Sequence, residues 1–498
     1  MAVAAGPPRQ PGTICFVTTE FAGIGRDNQI GVHFRLMSGL LARRGWEVHV
    51  LFCGGVDDGD ERCEALAEPA RWVAAFHVLE DFPAPLGAGI PHFGGDHPTV
   101  ILGEHALEAL EELHAEHQFD LIEFPDLSAL GLRAVQSKVA GDALLDASLA
   151  VKLHGPGQWR RKCDLEQRSA PRELKLEFCE RYAFERADVQ LSASRCMLDY
   201  ARGIDWTIRD DAAVACPYPD PDPNPAEQDE VATACDPKLW NDRIDATYRG
   251  FLGLPQEPRV ARASDTAKVT VAVSHFNHDR FLPGALASLA VQTRQPDEVI
   301  VVDDGSTSET ALRVFAQQEA RYPDWTFVRQ ENAGPGIARN RCLERATGAY
   351  FLPFDSDNIA TPRLIERLLE AMERNPSRAV TTCHNLGFVD DADVEAGDFA
   401  FRYSPTGGPR LSACVENVYG DTCALFRAES LRSVGGFETH PWSPDEDWET
   451  FVKMTVRGLE VEVLPQPLFY YRTDSGGRLQ TLTADPAVNF RQRAHLID

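Results

Sequence analysis

Basic residues are scarce in this chain: lysine and arginine number 49 among 498 residues, against 76 aspartates and glutamates, for a formal charge of −27. That balance argues against a nucleic-acid partner and against broad binding to anionic lipid. Long apolar runs are missing as well. No stretch approaches the roughly 20 apolar residues of a membrane span, so no span is expected and only peripheral membrane association stays open. The twelve cysteines form no Cys-x-x-Cys pair, and several, such as Cys53, Cys179 and Cys342, fall inside expected strands or helices. Reduced thiols in a cytoplasmic protein fit this pattern better than a disulfide frame or a zinc ribbon. Residues 1–12 have neither the basic start nor the apolar stretch of a signal peptide and read as a loose tail.

What the chain does have is apolar content of 43%, enough for packed cores, and a length that suits two or three domains. Over residues 13–215, short apolar runs such as Ile14–Thr18, Glu47–Phe52 and Val189–Ser192 alternate with segments whose apolar residues recur at three and four. This is the signature of βαβ units around a parallel sheet. A second alternation starts near Lys268 and becomes irregular beyond Asp391, as a mixed sheet with long loops would. Between the two lies Cys216-Pro-Tyr-Pro-Asp-Pro-Asp-Pro-Asn-Pro225 with an acidic continuation. Alternate prolines withhold backbone donors and favour extended geometry, so residues 216–267 read as a semi-rigid linker with room for one helix near Leu239–Tyr248. The fold class expected is α/β, with two Rossmann-like domains at 13–215 and 268–480 and a tail at 481–498.

Two acids one residue apart close the apolar run Tyr350-Phe-Leu-Pro-Phe-Asp355-Ser-Asp357. A carboxylate pair at the carboxyl end of a buried strand is a poor core element, but it is a good oxygen site for a divalent cation carrying a diphosphate. Upstream, Glu298-Val-Ile-Val-Val-Asp303-Asp304-Gly305-Ser306 repeats an apolar run that ends in acids. Both strands would present carboxylates at one edge of a sheet.

Taken in order, Val-Ser274-His-Phe-Asn277, Asp303-Asp304-Gly-Ser, Glu331-Asn332-Ala-Gly334-Pro-Gly336-Ile-Ala-Arg339-Asn340, Asp355-Ser-Asp357, Val434-Gly-Gly-Phe-Glu438 and Pro444-Asp445-Glu446-Asp447-Trp448 resemble the family 2 glycosyltransferases of GT-A fold. The resemblance covers about two fifths of the chain. It implies transfer of a sugar from a nucleotide-diphosphate sugar to a carbohydrate or other hydroxyl acceptor. By it, Ser274, Asn277, Asp303, Asp304, Asn332, Gly334, Arg339 and Asp355 would contact the donor, and Asp355 with Asp357 would hold Mn²⁺ or Mg²⁺. Asp447 would be the base and Glu446 its support. Trp442 and Trp448, whose indoles suit the apolar faces of sugars, are candidate acceptor contacts, with core packing the leading reading of Trp448. Arg339 reads equally well as a purely structural ion pair. After Tyr471-Arg472 the chain lacks the histidine that some relatives use as a further ligand.

Residues 13–215 resemble the N-terminal half of the family 4 glycosyltransferases of GT-B fold, through Thr18-Thr-Glu20-Phe-Ala-Gly23-Ile-Gly25, Lys152-Leu-His154-Gly155 and Glu185-Arg-Ala-Asp188. Its usual partner half is replaced by the linker and the second domain. The half domain therefore reads either as an acceptor-binding or docking platform, with Gly23, Gly25 and His154 along a groove, or as a stabilising remnant. The leading reading of those three residues has the glycines in tight turns and His154 as a satisfied histidine. Two other readings remain: a nucleotide-sugar-binding scaffold without turnover, and a nucleotidyltransferase. The latter usually needs a basic, glycine-rich loop after the first strand, which Ser274-His-Phe-Asn277 is not.

Overall fold

The computed structural model describes residues 11–473 except 23, 25–28, 56–72, 88, 95–96, 164–170, 217–236, 253, 255–266, 409–412, 414–415 and 440–444. These residues divide into two compact units. The first comprises the described residues within Met1–Pro85, His97–Val139 and Ala143–Arg259; the second comprises those within Leu86–Asp96, Ala140–Asp142 and Val260–Asp498.

The first unit is built on β1 (Thr13–Thr18), β2 (Glu47–Phe52), β3 (Ala75–Val78) and, after the short β4 (His92–Phe93) of the second unit, β5 (Leu121–Pro125), β6 (Ser148–Leu153), β7 (Val189–Ser192) and β8 (Ala213–Val214). They pair all in parallel in the order β3-β2-β1-β5-β6-β7-β8. β5, β6 and β7 are buried at every position, because helices such as Pro98–His117 and Pro171–Arg186 connect the strands and cover the faces.

Part of the expected linker belongs to this unit. Helix Pro237–Phe251 buries Tyr248, whose hydroxyl donates to Glu123 on β5 at 2.5 Å and accepts from Lys152 on β6 at 3.2 Å. Glu123 and Lys152 are themselves fully buried and 3.4 Å apart. A helix that closes a buried ionic triad is core, so the linker boundary of 216–267 is too wide at its carboxyl end. The proline-rich run from Pro217 to Pro225 lies outside the described residues.

The second unit holds β9 (Val269–His275), β10 (Glu298–Asp303), β11 (Thr326–Arg329), β12 (Tyr350–Asp355), β13 (Ile359–Ala360), β14 (Arg378–Phe388), β15 (Phe401–Tyr403), β16 (Leu425–Arg427) and β17 (Glu460–Arg472). The order is β11-β10-β9-β12-β16-β14-β15-β4, with β17 pairing β13 and β14. β11, β10, β9 and β12 run parallel, while β16 is antiparallel to β12 and β14, so this sheet is mixed. Helix Leu364–Arg374 packs Leu364, Ile365, Leu368, Leu369 and Met372 against it, a three-and-four spacing that puts them on one face. β4, from residues 86–96, completes the sheet by pairing β15, so the second unit draws strand residues from the sequence expected of the first.

Candidate active site

Parallel register brings the strand ends of the second unit together. Asp355 at the end of β12 pairs with Ser274 on β9, and Asp303 at the end of β10 pairs with His275. The turn after β10 needs Gly305, whose φ of +76° suits a residue without a side chain; a Cβ there would lie 2.5 Å from the Asn332 amide nitrogen. That close approach lets Asp304 clasp the next loop. Its Oδ1 accepts from the Ala333 amide at 2.9 Å and Gln330 Nε2 at 2.7 Å, and its Oδ2 from the Gly334 amide at 2.8 Å. Asn277, itself at positive φ, ties β9 to the same turn by accepting from the amides of Thr307 at 3.0 Å and Ser308 at 3.1 Å.

A cavity of about 980 Å³ opens over these ends. Its wall includes Ser274, Asn277, Asp304, Asn332, Gly334, Arg339, Asp355, Asp357, Glu446 and Asp447, so ten of the residues singled out in the sequence share one site. Asp303 is not among them: it is fully buried beneath the wall, accepting from Arg329 Nε at 2.9 Å and the Ser306 amide at 3.2 Å, and it acts on the site through the turn. Trp448 does not reach the wall either. It is 8% exposed within the core, and its Nε1 donates to the Ala413 carbonyl, which corrects its reading as an acceptor contact. Trp442 lies outside the described residues, as do Gly23, Gly25 and the segment following Thr473. His154 is buried in the first unit against His33.

Arg339, on helix Pro335–Arg345, joins two of the motifs. Its Nη2 donates to Asp355 Oδ1 at 2.7 Å and its Nη1 pairs with Glu446, the first residue of helix Glu446–Val456. Burial alone would make the guanidinium easier to deprotonate, but Asp355 and Glu446 more than offset that and hold it charged. Asp447, next in the helix, has the opposite problem. Burial first, then Asp421, Glu446 and Asp445, push its carboxyl well above the ordinary value.

Several wall residues had no motif to announce them. Asp421, on the loop before β16, is raised by burial and then by Asp355. Asn385 comes from β14, Tyr403 from β15 and Tyr471 from β17. The Tyr471 phenol is raised by burial and then by Asp421, Asp355, Asp357 and Asp447 together, which marks it as the point these carboxylates surround. His278 faces Asp357 at 3.9 Å and Ser356 Oγ at 3.2 Å.

The description Glycosyl transferase family 2 matches residues 270–435 of the chain. A protein of Bacillus subtilis (strain 168), EpsE, a glycosyltransferase by name, is 33% identical over 227 residues, 44% of this chain and 80% of its own length. The chain belongs to the family 2 glycosyltransferases. Within that family it is 27% identical to the amylovoran biosynthesis glycosyltransferase AmsE of Erwinia amylovora, over 41% of this chain and 76% of that one. An uncharacterized glycosyltransferase of Nostoc sp. (strain PCC 7120) is 28% identical over 41% of this chain and 64% of its own length, so the chain spans just under two thirds of that relative. Among solved structures, S. aureus TarS 1-349 in complex with UDP is 21% identical with a TM-score of 0.33, covering 41% of this chain and 60% of that one. Mannosyltransferase PcManGT from Pyrobaculum calidifontis, in complex with GDP-Man and Mn²⁺, is also 21% identical, with a TM-score of 0.32, covering 43% and 59%.

No helix among the described residues is long and apolar enough to cross a membrane. No disulfide joins any two of the nine described cysteines.

Proposed function

We propose that the second unit is a metal-dependent, inverting glycosyltransferase that moves a sugar from a nucleoside diphosphate to a hydroxyl acceptor in glycan or polysaccharide synthesis. The observation that carries this reading is the charge of the cavity. Its described wall holds seven carboxylates, Asp304, Asp355, Asp357, Asp421, Asp445, Glu446 and Asp447, and one guanidinium, that of Arg339. A diphosphate could not enter such a wall unaided, whereas hard divalent cations favour oxygen ligands and commonly use one or two carboxylates with the substrate's phosphates completing the shell. The donor set therefore fits Mg²⁺ or Mn²⁺, with Asp355 and Asp357 as the residues that would hold it. When bound, such an ion would offset charge on the departing diphosphate.

The remaining steps fall to the chain. Ser274, Asn277 and Asn332 orient the nucleoside half of the donor, and the Asp304 clasp on the Gly334 amide fixes their loop. Arg339 keeps Asp355 and Glu446 in place. Asp447 takes the proton of the acceptor hydroxyl as its oxygen bonds to the anomeric carbon and the bond from that carbon to the phosphate oxygen breaks. One such displacement inverts the anomeric centre. A carboxylate held in a desolvated wall is a stronger base once ionised, which suits this role.

The first unit is, in this proposal, a GT-B-like half domain that contributes to acceptor recognition and has no donor site of its own. The buried thiols of Cys15, Cys53 and Cys342 are the support for a cytoplasmic setting.

Nucleoside diphosphate release from a panel of nucleotide sugars, with acceptor sugars present, tests the transfer reading. The parent should release product with Mn²⁺ or Mg²⁺, and Asp447→Asn should lose at least 10² of the rate while still binding donor. Binding without turnover by the parent across the panel would favour a scaffold, and pyrophosphate release would favour a nucleotidyltransferase.

A further inference from the structure

A cluster of imidazoles in the first unit, remote in sequence from every motif above, has the composition of a metal site. His49 lies on β2 and His77 on β3. The parallel register pairs His49 with Ala75 and Leu51 with His77, so both imidazoles stand on the same face of the sheet. The last turn of helix Pro98–His117 sets His117 against them, with ring centroids 4.3 Å from His49 and 5.8 Å from His77. One ring nitrogen from each of the three lies within 4.8 Å of the others, and no other group of three histidine, cysteine or acidic side chains among the described residues is so close.

The spacing is that of ligands. His49 Nδ1 and His77 Nε2 are 3.1 Å apart, and two imidazole nitrogens on one tetrahedral Zn²⁺ stand about 3.3 Å apart, given Zn–N bonds near 2.0–2.1 Å. The other nitrogen of His49, Nε2, lies 3.4 Å from Glu47 Oε1. A carboxylate on the far nitrogen is the usual partner of a ligating histidine, because it fixes the ring and its tautomer. The helix end adds its own field, since unsatisfied carbonyls of a last turn favour a cation. Stacking accounts for the near-parallel planes of His49 and His77, 6° apart. It does not account for a third imidazole, its centroid 4.3 Å from that of His49, or for a carboxylate at the far nitrogen of the His49 ring.

We propose that His49, His77 and His117 bind one divalent cation of the zinc class, with water in the fourth position, and that the ion fastens the end of helix Pro98–His117 to the β2–β3 edge of the first sheet. Nitrogen ligands distinguish this site from the oxygen-lined cavity, because imidazole selects Zn²⁺ over Mg²⁺.

Cobalt serves as the probe. The full chain, stripped with chelator and titrated with Co²⁺ alone, should take up one equivalent with the intense visible bands of a four-coordinate ion, and Zn²⁺ should displace it. Asp357→Ala should leave those bands unchanged. His117→Gln, at a partly exposed position of the last helical turn, should abolish them without altering the circular dichroism, and Glu47→Gln should weaken binding about tenfold. Absence of the bands in the parent, or their persistence in both His117→Gln and His77→Gln, overturns the proposal.

Discussion

Arg339 donates to Asp355 at 2.7 Å and pairs through its other terminal nitrogen with Glu446, so one guanidinium spans the end of β12 and the start of helix Glu446–Val456. With the guanidinium removed, two carboxylates in a cavity already rich in acids lose their counter-charge. Arg339→Ala should therefore destabilise the second unit by about 3–5 kcal/mol, the usual cost of stranding buried charge. Arg339→Lys should recover only part of it, because an ammonium cannot reproduce the fork. Urea unfolding midpoints of the three proteins check this; an unchanged midpoint for Arg339→Ala would show that the pair is not a structural link.

Gly336 opens helix Pro335–Arg345 where a Cβ would lie 1.8 Å from the Glu438 carbonyl oxygen. The group met there is the Glu438 backbone, not the end of a flexible side chain that could yield. Gly336→Ala should displace the helix start and with it the Gly334 amide clasped by Asp304, lowering kcat/KM on the order of 10²-fold. Far-ultraviolet circular dichroism should stay close to that of the parent, while a rate equal to the parent's would place the helix start outside the site.

Tyr248 sits between Glu123 and Lys152. Tyr248→Phe removes one hydroxyl and leaves a fully buried carboxylate short of a donor, at a cost of about 1–3 kcal/mol. Hydrogen exchange at β5 and β6 should speed up accordingly, and donor binding should not change.

A pH dependence follows from Asp126 and Glu180, both buried in the first unit. Burial first, against the amides of His154 and Gly155, raises Asp126 from 3.8 to about 6. Burial and then Asp126 raise Glu180 from 4.5 to about 7. A carboxyl raised in the folded state is still protonated where the unfolded chain has already ionised. The unfolded chain then binds fewer protons, and stability falls as pH rises from about 4 to about 7. Glu180→Gln should flatten that slope relative to the parent in denaturant midpoints taken at pH 5 and pH 7.5; an identical slope would contradict the assignment.

Much of the second unit was legible because its motifs sit where apolar strands stop. β10 and β12 begin at the residues expected, Glu298 and Tyr350, and the acids that follow them converge as their parallel register requires. β14 was not legible. All of its eleven positions are buried, yet Arg378, Thr381, Thr382, His384 and Asn385 interrupt any apolar pattern; Arg378 and Thr382 are met by Glu462 of β17, distant in the chain. Asp421 was hidden for a related reason: it lies in an irregular loop, and only burial beside Asp355 gives it meaning. Trp448 shows the converse, since a tryptophan beside the acids that open a helix is a core residue when its helix turns it inward. The unit boundaries also escaped notice, because β4 and helix Pro237–Phe251 join sheets far from their neighbours in sequence.

Calorimetric titration of the unmodified chain with uridine and guanosine diphosphates, in excess Mn²⁺ and again in excess chelator, bears most directly on the central claim. The carboxylate-rich wall should admit at least one of these nucleotides when the cation is present and neither when it is removed, and Asp357→Ala should bind weakly under both conditions. Equal affinity with and without the cation would mean that the wall does not need a metal to receive a diphosphate, and the proposed chemistry would fall with it.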